Sequence, residues 1–337
     1  MRNAFADPRP PGPPTPDTIM SNRDVRILVF ANLSEPHLAQ IRAVDPRVRV
    51  TPAAGQSQSA GDVSTAEIMV GWRIPREAIQ HASGLKWIHS TAAGVDEILY
   101  PEVYERDLVI TASNGIHAPL IEHVFAFILA FERRLHIAMR QQLQRLWDRS
   151  RALGGEAAGK TLGILGLGTI GQEIARKAQA FDLRVIGTKR TPASIPGVEK
   201  VLPPEGLPEV LREADIVVVA LPLTAQTSGL IGEREFRTMK PTALFINIGR
   251  GPIVQEAALV RALREGWIAG AGLDVFEREP LPADSALYDL ENVIITPHVS
   301  GASPRYMDRA VPLFCENLRR YLHGDPLLNV VDKERGY

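Results

Sequence analysis

Arg250, Glu279 and His298 each stand just past an apolar run in the C-terminal part of the chain, in "INIGRGP", "AGLDVFEREPLP" and "ITPHVSG". Arginine offers a rigid fork of N–H donors that suits a carboxylate and a neighbouring carbonyl oxygen. Histidine titrates near neutrality, so it can give a proton to an oxygen and take it back in the reverse direction. A carboxylate beside it favours the imidazolium and orients the ring. Taken singly, the three have ordinary readings as a surface charge, a turn residue before proline and a capping or packed imidazole. In this order they describe proton transfer next to a clamp for an acid.

A second constellation lies upstream. "LGILGLGTIGQEIARKA" sets Gly166, Gly168 and Gly171 between an apolar strand and an amphipathic helix that opens with Thr169 and Ile170. There the glycines allow a tight turn, close approach of backbone to a pyrophosphate and close packing of helix on strand. The helix N-terminus adds N–H groups and positive dipole. A methyltransferase or flavin site can use a similar loop. In the NAD-binding version a carboxylate ends the next strand, roughly 20 residues beyond the glycines, and binds the ribose hydroxyls. In "LRVIGTKRT" that position is Lys189, followed by Arg190. A carboxylate would repel a 2′-phosphate, whereas two cations can hold one, at about 1.5–3 kcal/mol per charged hydrogen bond. That is enough for a preference for NADPH on the order of a hundredfold; the alternative is a solvated cationic turn.

These residues need elements to position them. With 337 residues, 45% hydrophobic and 23% charged, the chain has the composition of a globular protein and the length of two domains. A formal net charge of -1 gives no general pull toward nucleic acid or anionic lipid. Residues 1–21, with "PRPPGPPTP", lack a signal-peptide core and read as a disordered leader, with Met20 an alternative start. The run "VFAFILAF" is too short to span a bilayer and reads as a buried helix. The single cysteine, Cys315, reads as a packed thiol in a reducing compartment. Neither HExxH, paired CxxC nor G-x-S-x-G spacing occurs, so metal and hydrolase sites find no support.

From Asp24 the chain alternates strand-like segments ("VRILVFA", "RVRVTPA", "AEIMVGW", "LKWIHSTAAG", "LVITAS") with helical ones. After a long helical region a second series follows: "TLGILG", "LRVIGTK", "IVVVALP", "ALFINIG", "AGLDVF" and "VIITPH". Both predict an α/β class with two doubly wound parallel sheets. The last segment, "RYMDRAVPLFCENLRRYLHGD", has helical spacing and is expected to cross back onto the first domain. The expected division is a substrate domain of 22–117 plus 299–337 and a coenzyme domain of 118–298.

With these motifs in order, the sequence resembles the D-2-hydroxyacid dehydrogenase family from about residue 24 to the end, and Arg250, Glu279 and His298 match the family's Arg, Glu before Pro and His after Pro. The resemblance implies a Rossmann coenzyme domain inserted into a flavodoxin-like substrate domain. It implies reduction of a 2-oxo acid to a D-2-hydroxy acid, with Arg250 holding the acid and His298, oriented by Glu279, as proton donor. "STAAGVDEI" resembles the loop whose N–H groups receive the substrate carboxylate, here Ala93, Gly94 and Val95; Trp72 would face the substrate side chain. "VALPLTAQT" resembles the loop beside the adenosine, with Leu221, Pro222 and Thr227. Ile248 would also line the cofactor, and Asp274 resembles the residue that contacts the nicotinamide amide.

The expected enzyme is a cytoplasmic glyoxylate or hydroxypyruvate reductase, or a broader 2-oxo acid reductase. It would prefer NADPH, admit NADH and need no metal. The family implies a homodimer joined through the coenzyme domains, with "EHVFAFILAFERR" and "RQQLQRLW" as its interface. Formate dehydrogenase, in the same family, has Gln where Glu279 stands; phosphite oxidation could use the same residues. Phosphoglycerate dehydrogenase often adds a C-terminal regulatory domain, whereas this chain stops soon after "GDPLLNVVDKERGY". A dinucleotide-sensing, corepressor-like binding protein is the alternative of another class; slow turnover despite tight cofactor binding would mark it.

Overall fold

The computed structural model describes residues 23–53 and 63–337, so the leader and Met20 lie outside the described residues. The chain forms two units. One contains the described residues up to Ile116 together with Pro304–Tyr337, and the other is His117–Ser303.

The first unit is a five-stranded parallel sheet of β1 (Val25–Val29), β2 (Val48–Pro52), β3 (Ile68–Val70), β4 (Trp87–Ser90) and β5 (Val109–Ala112), in the order β2-β1-β3-β4-β5. This is the flavodoxin-like order. The β-branched strands are buried because helices cover a parallel sheet. The helix Tyr306–His323 returns to this unit: Val311, Phe314, Cys315 and Leu318 share a core with Val25, Ile27 and Trp87. Cys315 is buried and free, and burial pushes its thiol up to about 11.

The second unit is a seven-stranded sheet, also wholly parallel. It comprises β6 (Thr161–Leu165), β7 (Arg184–Thr188), β8 (Lys200–Leu202), β9 (Ile216–Val219), β10 (Leu244–Asn247), β11 (Gly270–Leu273) and β12 (Val293–Ile295), in the order β12-β11-β10-β9-β6-β7-β8. The order reverses between β6 and β9, which is the Rossmann switch point. Its register produces one row across the sheet: Leu202, Thr188, Leu165, Val219, Asn247, Leu273 and Ile295 pair in turn. Because all strands run the same way, whatever follows that row emerges at a single edge.

The helix Ala118–Glu132 covers one face of this sheet with Val124, Phe125, Phe127 and Ile128 buried. β11 reads "GAGL" because the helix lies so close: a Cβ at Gly272 would stand 2.7 Å from Phe127. The expected buried helix is therefore present, but "EHVFAFILAFERR" lies largely in its own core and offers little surface for a second copy. In contrast, Leu143 and Trp147 of "RQQLQRLW" are 87% and 93% exposed. No helix among the described residues is long and apolar enough to cross a membrane.

Candidate active site

Six of the residues singled out in the second unit lie within three positions of the shared row. Gly166 follows β6, Lys189 follows β7, Leu221 lies just past β9, Arg250 past β10, Asp274 follows β11 and His298 lies past β12. At a strand spacing of about 4.8 Å, the three steps from β7 to β10 cover roughly 14 Å of edge, room for an extended dinucleotide.

Gly166 has φ +102, and a Cβ there would stand 2.7 Å from the Ala220 carbonyl across the switch point, so both conformation and space require glycine. Gly168 is the N-cap of the helix Thr169–Ala178, whose first-turn N–H groups have no partner within the helix. A side chain at Gly171 would collide with the Gly166 carbonyl. A cradle this tight, with donors at its mouth, fits a diphosphate.

The loop is also tied to the end of β7. Gly166 N donates to Thr188 Oγ1 at 3.3 Å and Leu167 N to the Thr188 carbonyl at 2.8 Å. In return, Lys189 Nζ donates to the Leu167 carbonyl at 2.9 Å, and Gln172 Nε2 donates to the same oxygen at 3.1 Å. Lys189 is half-buried and Arg190 exposed. An ammonium has three N–H donors, so holding Leu167 leaves Lys189 able to contact a phosphate as well.

On the β9 side, Thr227 Oγ1 donates to the Pro222 carbonyl at 2.6 Å and accepts from Thr224 N at 2.8 Å. Thr227 thus closes its own loop, with Leu221 and Pro222 at the edge. Ile248 is buried directly after β10. Asn247, not among the residues expected from the sequence, is 1% exposed; its Nδ2 donates to the Arg250 carbonyl at 3.1 Å, and its Oδ1 accepts from Gly249 N at 3.1 Å. Its amide shapes the turn that delivers Arg250. A polar residue ending the apolar run "ALFIN" is the signal that could have found it.

His298 and Glu279 meet. His298 Nδ1 lies 2.7 Å from Glu279 Oε2, and Glu279 Oε1 accepts from Phe276 N at 3.1 Å. The carboxylate is therefore fixed by backbone while it fixes the ring, which makes Nε2 the nitrogen that can exchange a proton with a substrate. The Phe276 backbone also packs so closely on Gly251 that any side chain there would overlap it, drawing the Arg250 turn and the Glu279 loop together.

Asp274, expected beside the nicotinamide amide, is fully buried. Its Oδ1 accepts from Thr296 Oγ1 at 2.6 Å and Val299 N at 2.9 Å, and its Oδ2 from Ser300 N at 2.9 Å. The carboxylate is spent on the loop that carries His298, a use that sequence spacing does not reveal.

In the first unit, Trp72 and the Ala93–Val95 loop follow neighbouring strands in register, Val70 with His89, and so share that sheet's C-terminal edge. Ser90 Oγ accepts from Ala92 N at 3.2 Å and donates to the Gly94 carbonyl at 3.3 Å, which curls the loop. Val95 is buried, and Arg73 stacks on the Trp72 ring at 4.6 Å. Among the described residues, no group of acidic, histidine or cysteine side chains could hold a metal ion.

Residues 125–300 match the family described as "D-isomer specific 2-hydroxyacid dehydrogenase, NAD binding domain". The chain is 37% identical over 298 residues to glyoxylate reductase of Pyrococcus furiosus, covering 85% of this chain and 87% of that protein. Two crystal structures resemble it closely. The NADPH-dependent glyoxylate/hydroxypyruvate reductase of Sinorhizobium meliloti, in complex with NADP and sulfate, has a TM-score of 0.83 at 31% identity, covering 93% of this chain and 100% of that one. The D-isomer specific 2-hydroxyacid dehydrogenase of Xanthobacter autotrophicus Py2, in complex with NADPH and MES, has a TM-score of 0.82 at 32% identity, with the same coverages of 93% and 100%.

Proposed function

The chain belongs to the D-isomer specific 2-hydroxyacid dehydrogenase family of NAD(P)-dependent oxidoreductases, and on that premise we propose that it reduces glyoxylate, hydroxypyruvate or another small 2-oxo acid with NADPH as the preferred donor. The observation that carries this reading is the 2.7 Å contact between His298 Nδ1 and Glu279 Oε2 at the edge that also bears the glycine loop.

When bound, the reduced nicotinamide supplies a hydride for the carbonyl carbon. His298 gives its Nε2 proton to the carbonyl oxygen, and Glu279, 2.7 Å from Nδ1, holds the ring in place. Arg250 binds the carboxylate and the adjacent oxygen with its fork of donors. In the first unit, the backbone of Ala93, Gly94 and Val95 is the proposed receiver of a carboxylate, with Trp72 beside the substrate side chain. The glycine loop with Thr169 and Ile170 takes the diphosphate, and Leu221, Pro222, Thr227 and Ile248 line the cofactor. Lys189 and Arg190 favour a 2′-phosphate because the β7 end presents cations where an NAD site presents a carboxylate.

A homodimer is part of the same proposal, supported by Leu143 and Trp147, large apolar side chains left 87% and 93% exposed in a monomer. A cytoplasmic setting is supported by the lone buried thiol.

The test is initial rates with NADPH and NADH in parallel against glyoxylate, hydroxypyruvate, pyruvate and a bulky 2-oxo acid, with His298→Ala as the blank. Turnover of a small 2-oxo acid at a tenfold or greater NADPH advantage is expected. Cofactor binding without turnover of any of the four would instead favour a dinucleotide-sensing binding protein.

A further inference from the structure

His298 has φ +52, in the left-handed region that residues other than glycine seldom occupy. Such a conformation persists only where the surroundings hold it. The bonds that hold it converge on Asp274: His298 N donates to the Asp274 carbonyl at 2.9 Å, and the next two backbone N–H groups donate to its carboxylate, each at 2.9 Å.

That carboxylate is in turn held from behind. Thr296 has one hydroxyl proton and, at 2.6 Å, gives it to Asp274 Oδ1. The Thr296 oxygen is then the acceptor for His123 Nε2 at 3.0 Å, which assigns His123 as the Nε2–H tautomer. His123 is itself wedged edge-on against Phe127, with ring centroids 4.7 Å apart. Donors thus converge on Asp274 from two sides: His123, on the helix Ala118–Glu132, through the Thr296 hydroxyl, and the backbone N–H groups of His298, Val299 and Ser300.

We propose that Thr296 and His123 are positioning residues for the proton-transfer step, acting through Asp274 to keep His298 in its left-handed conformation with Nδ1 on Glu279. The inference rests on the reading of His298 as proton donor. Loss of the Thr296 hydroxyl leaves the Asp274 carboxylate held by the Val299 and Ser300 N–H groups alone, which slackens the loop and displaces the ring without touching the glycine loop. Misplacement of a reacting group by about 1 Å costs on the order of a hundredfold in rate.

The test uses the full chain with NADPH and glyoxylate. Thr296→Val is expected to lower kcat about tenfold to a hundredfold, with KM for glyoxylate and the NADPH Kd within about twofold of wild type. Thr296→Ser, which keeps the hydroxyl, restores most of the rate. His123→Leu gives a smaller loss in kcat, and adding it to Thr296→Val lowers the rate little further, because the two act as one unit. Independently of turnover, the proton on His298 Nδ1 should give a protected, hydrogen-bonded NMR resonance in wild type and an exchange-broadened one in Thr296→Val, because the contact with Glu279 is then only partly kept. Wild-type kcat in Thr296→Val, or equal losses in the Val and Ser variants, overturns the inference while leaving the role of His298 intact. Undiminished turnover in His298→Ala overturns both. If Thr296→Val fails to fold, His123→Leu against His123→Gln carries the same comparison, with the Gln amide standing in for Nε2–H.

Discussion

Lys189 Nζ donates to the Leu167 carbonyl at 2.9 Å, so the first cation after β7 is part of the scaffold of the glycine loop. Lys189 and Arg190 are adjacent in sequence, but Lys189 is half-buried against the loop that would cradle the diphosphate, whereas Arg190 is exposed. Their substitutions should therefore differ.

Lys189→Ala is expected to weaken both NADPH and NADH, because it slackens the loop as well as removing a charge. Arg190→Ala should weaken NADPH alone, by about tenfold to a hundredfold for one charged contact of about 1.5–3 kcal/mol. Fluorescence titration of the two cofactors against each variant makes the comparison; equal losses of NADH in both variants would remove the scaffold role of Lys189.

His298→Ala should lower kcat by about a hundredfold to ten-thousandfold, the usual contribution of a positioned general acid. Glu279→Gln keeps an oxygen for Phe276 N but loses the charge facing His298 Nδ1, so a smaller loss confined to kcat is expected. Steady-state kinetics with glyoxylate and NADPH separates the two; a Glu279→Gln enzyme with wild-type kcat would leave the carboxylate without a catalytic part.

His89 is fully buried, and desolvation lowers its pKa from 6.5 to about 3. Its ring contacts Thr111 Oγ1 at 2.8 Å and Ser113 Oγ at 3.2 Å as a neutral imidazole. Between about pH 6.5 and 3 the unfolded chain takes up a proton that the folded chain refuses, so stability falls as pH falls through that window. A loss on the order of a few kcal/mol is expected across it. Urea midpoints at pH 7 and pH 5 measure the start of the decline; a proton-titrating His89 resonance near pH 6 in the folded protein would contradict it.

Leu143→Asp with Trp147→Ala should convert a dimer to a monomer in light scattering and leave the fold intact, since both side chains lie outside the core. A wild-type chain that is monomeric at micromolar concentration would remove the proposed interface.

Much of the chemistry is legible in the sequence because it depends on local pattern. Glycine spacing after a strand, a cation pair at the end of the next strand, and an Arg, a Glu and a His each beyond an apolar run report on backbone conformation and residue type, which the chain carries linearly. The parallel sheets follow from strand and helix alternating, and the return of the last helix from its apolar face. Other features exist only once distant segments meet. Residue spacing cannot say that Asp274 spends its carboxylate on the His298 loop or that His123 reaches Thr296, because each bond joins partners whose distance is set by strand register and helix packing. The same holds for the two apolar stretches: "EHVFAFILAFERR" and "RQQLQRLW" both carry apolar residues, and only the packing of Phe127 and its neighbours onto the sheet assigns the first to the core and leaves Trp147 outside. A side chain's type is fixed by the sequence, whereas what it faces is fixed by where the fold brings its partners.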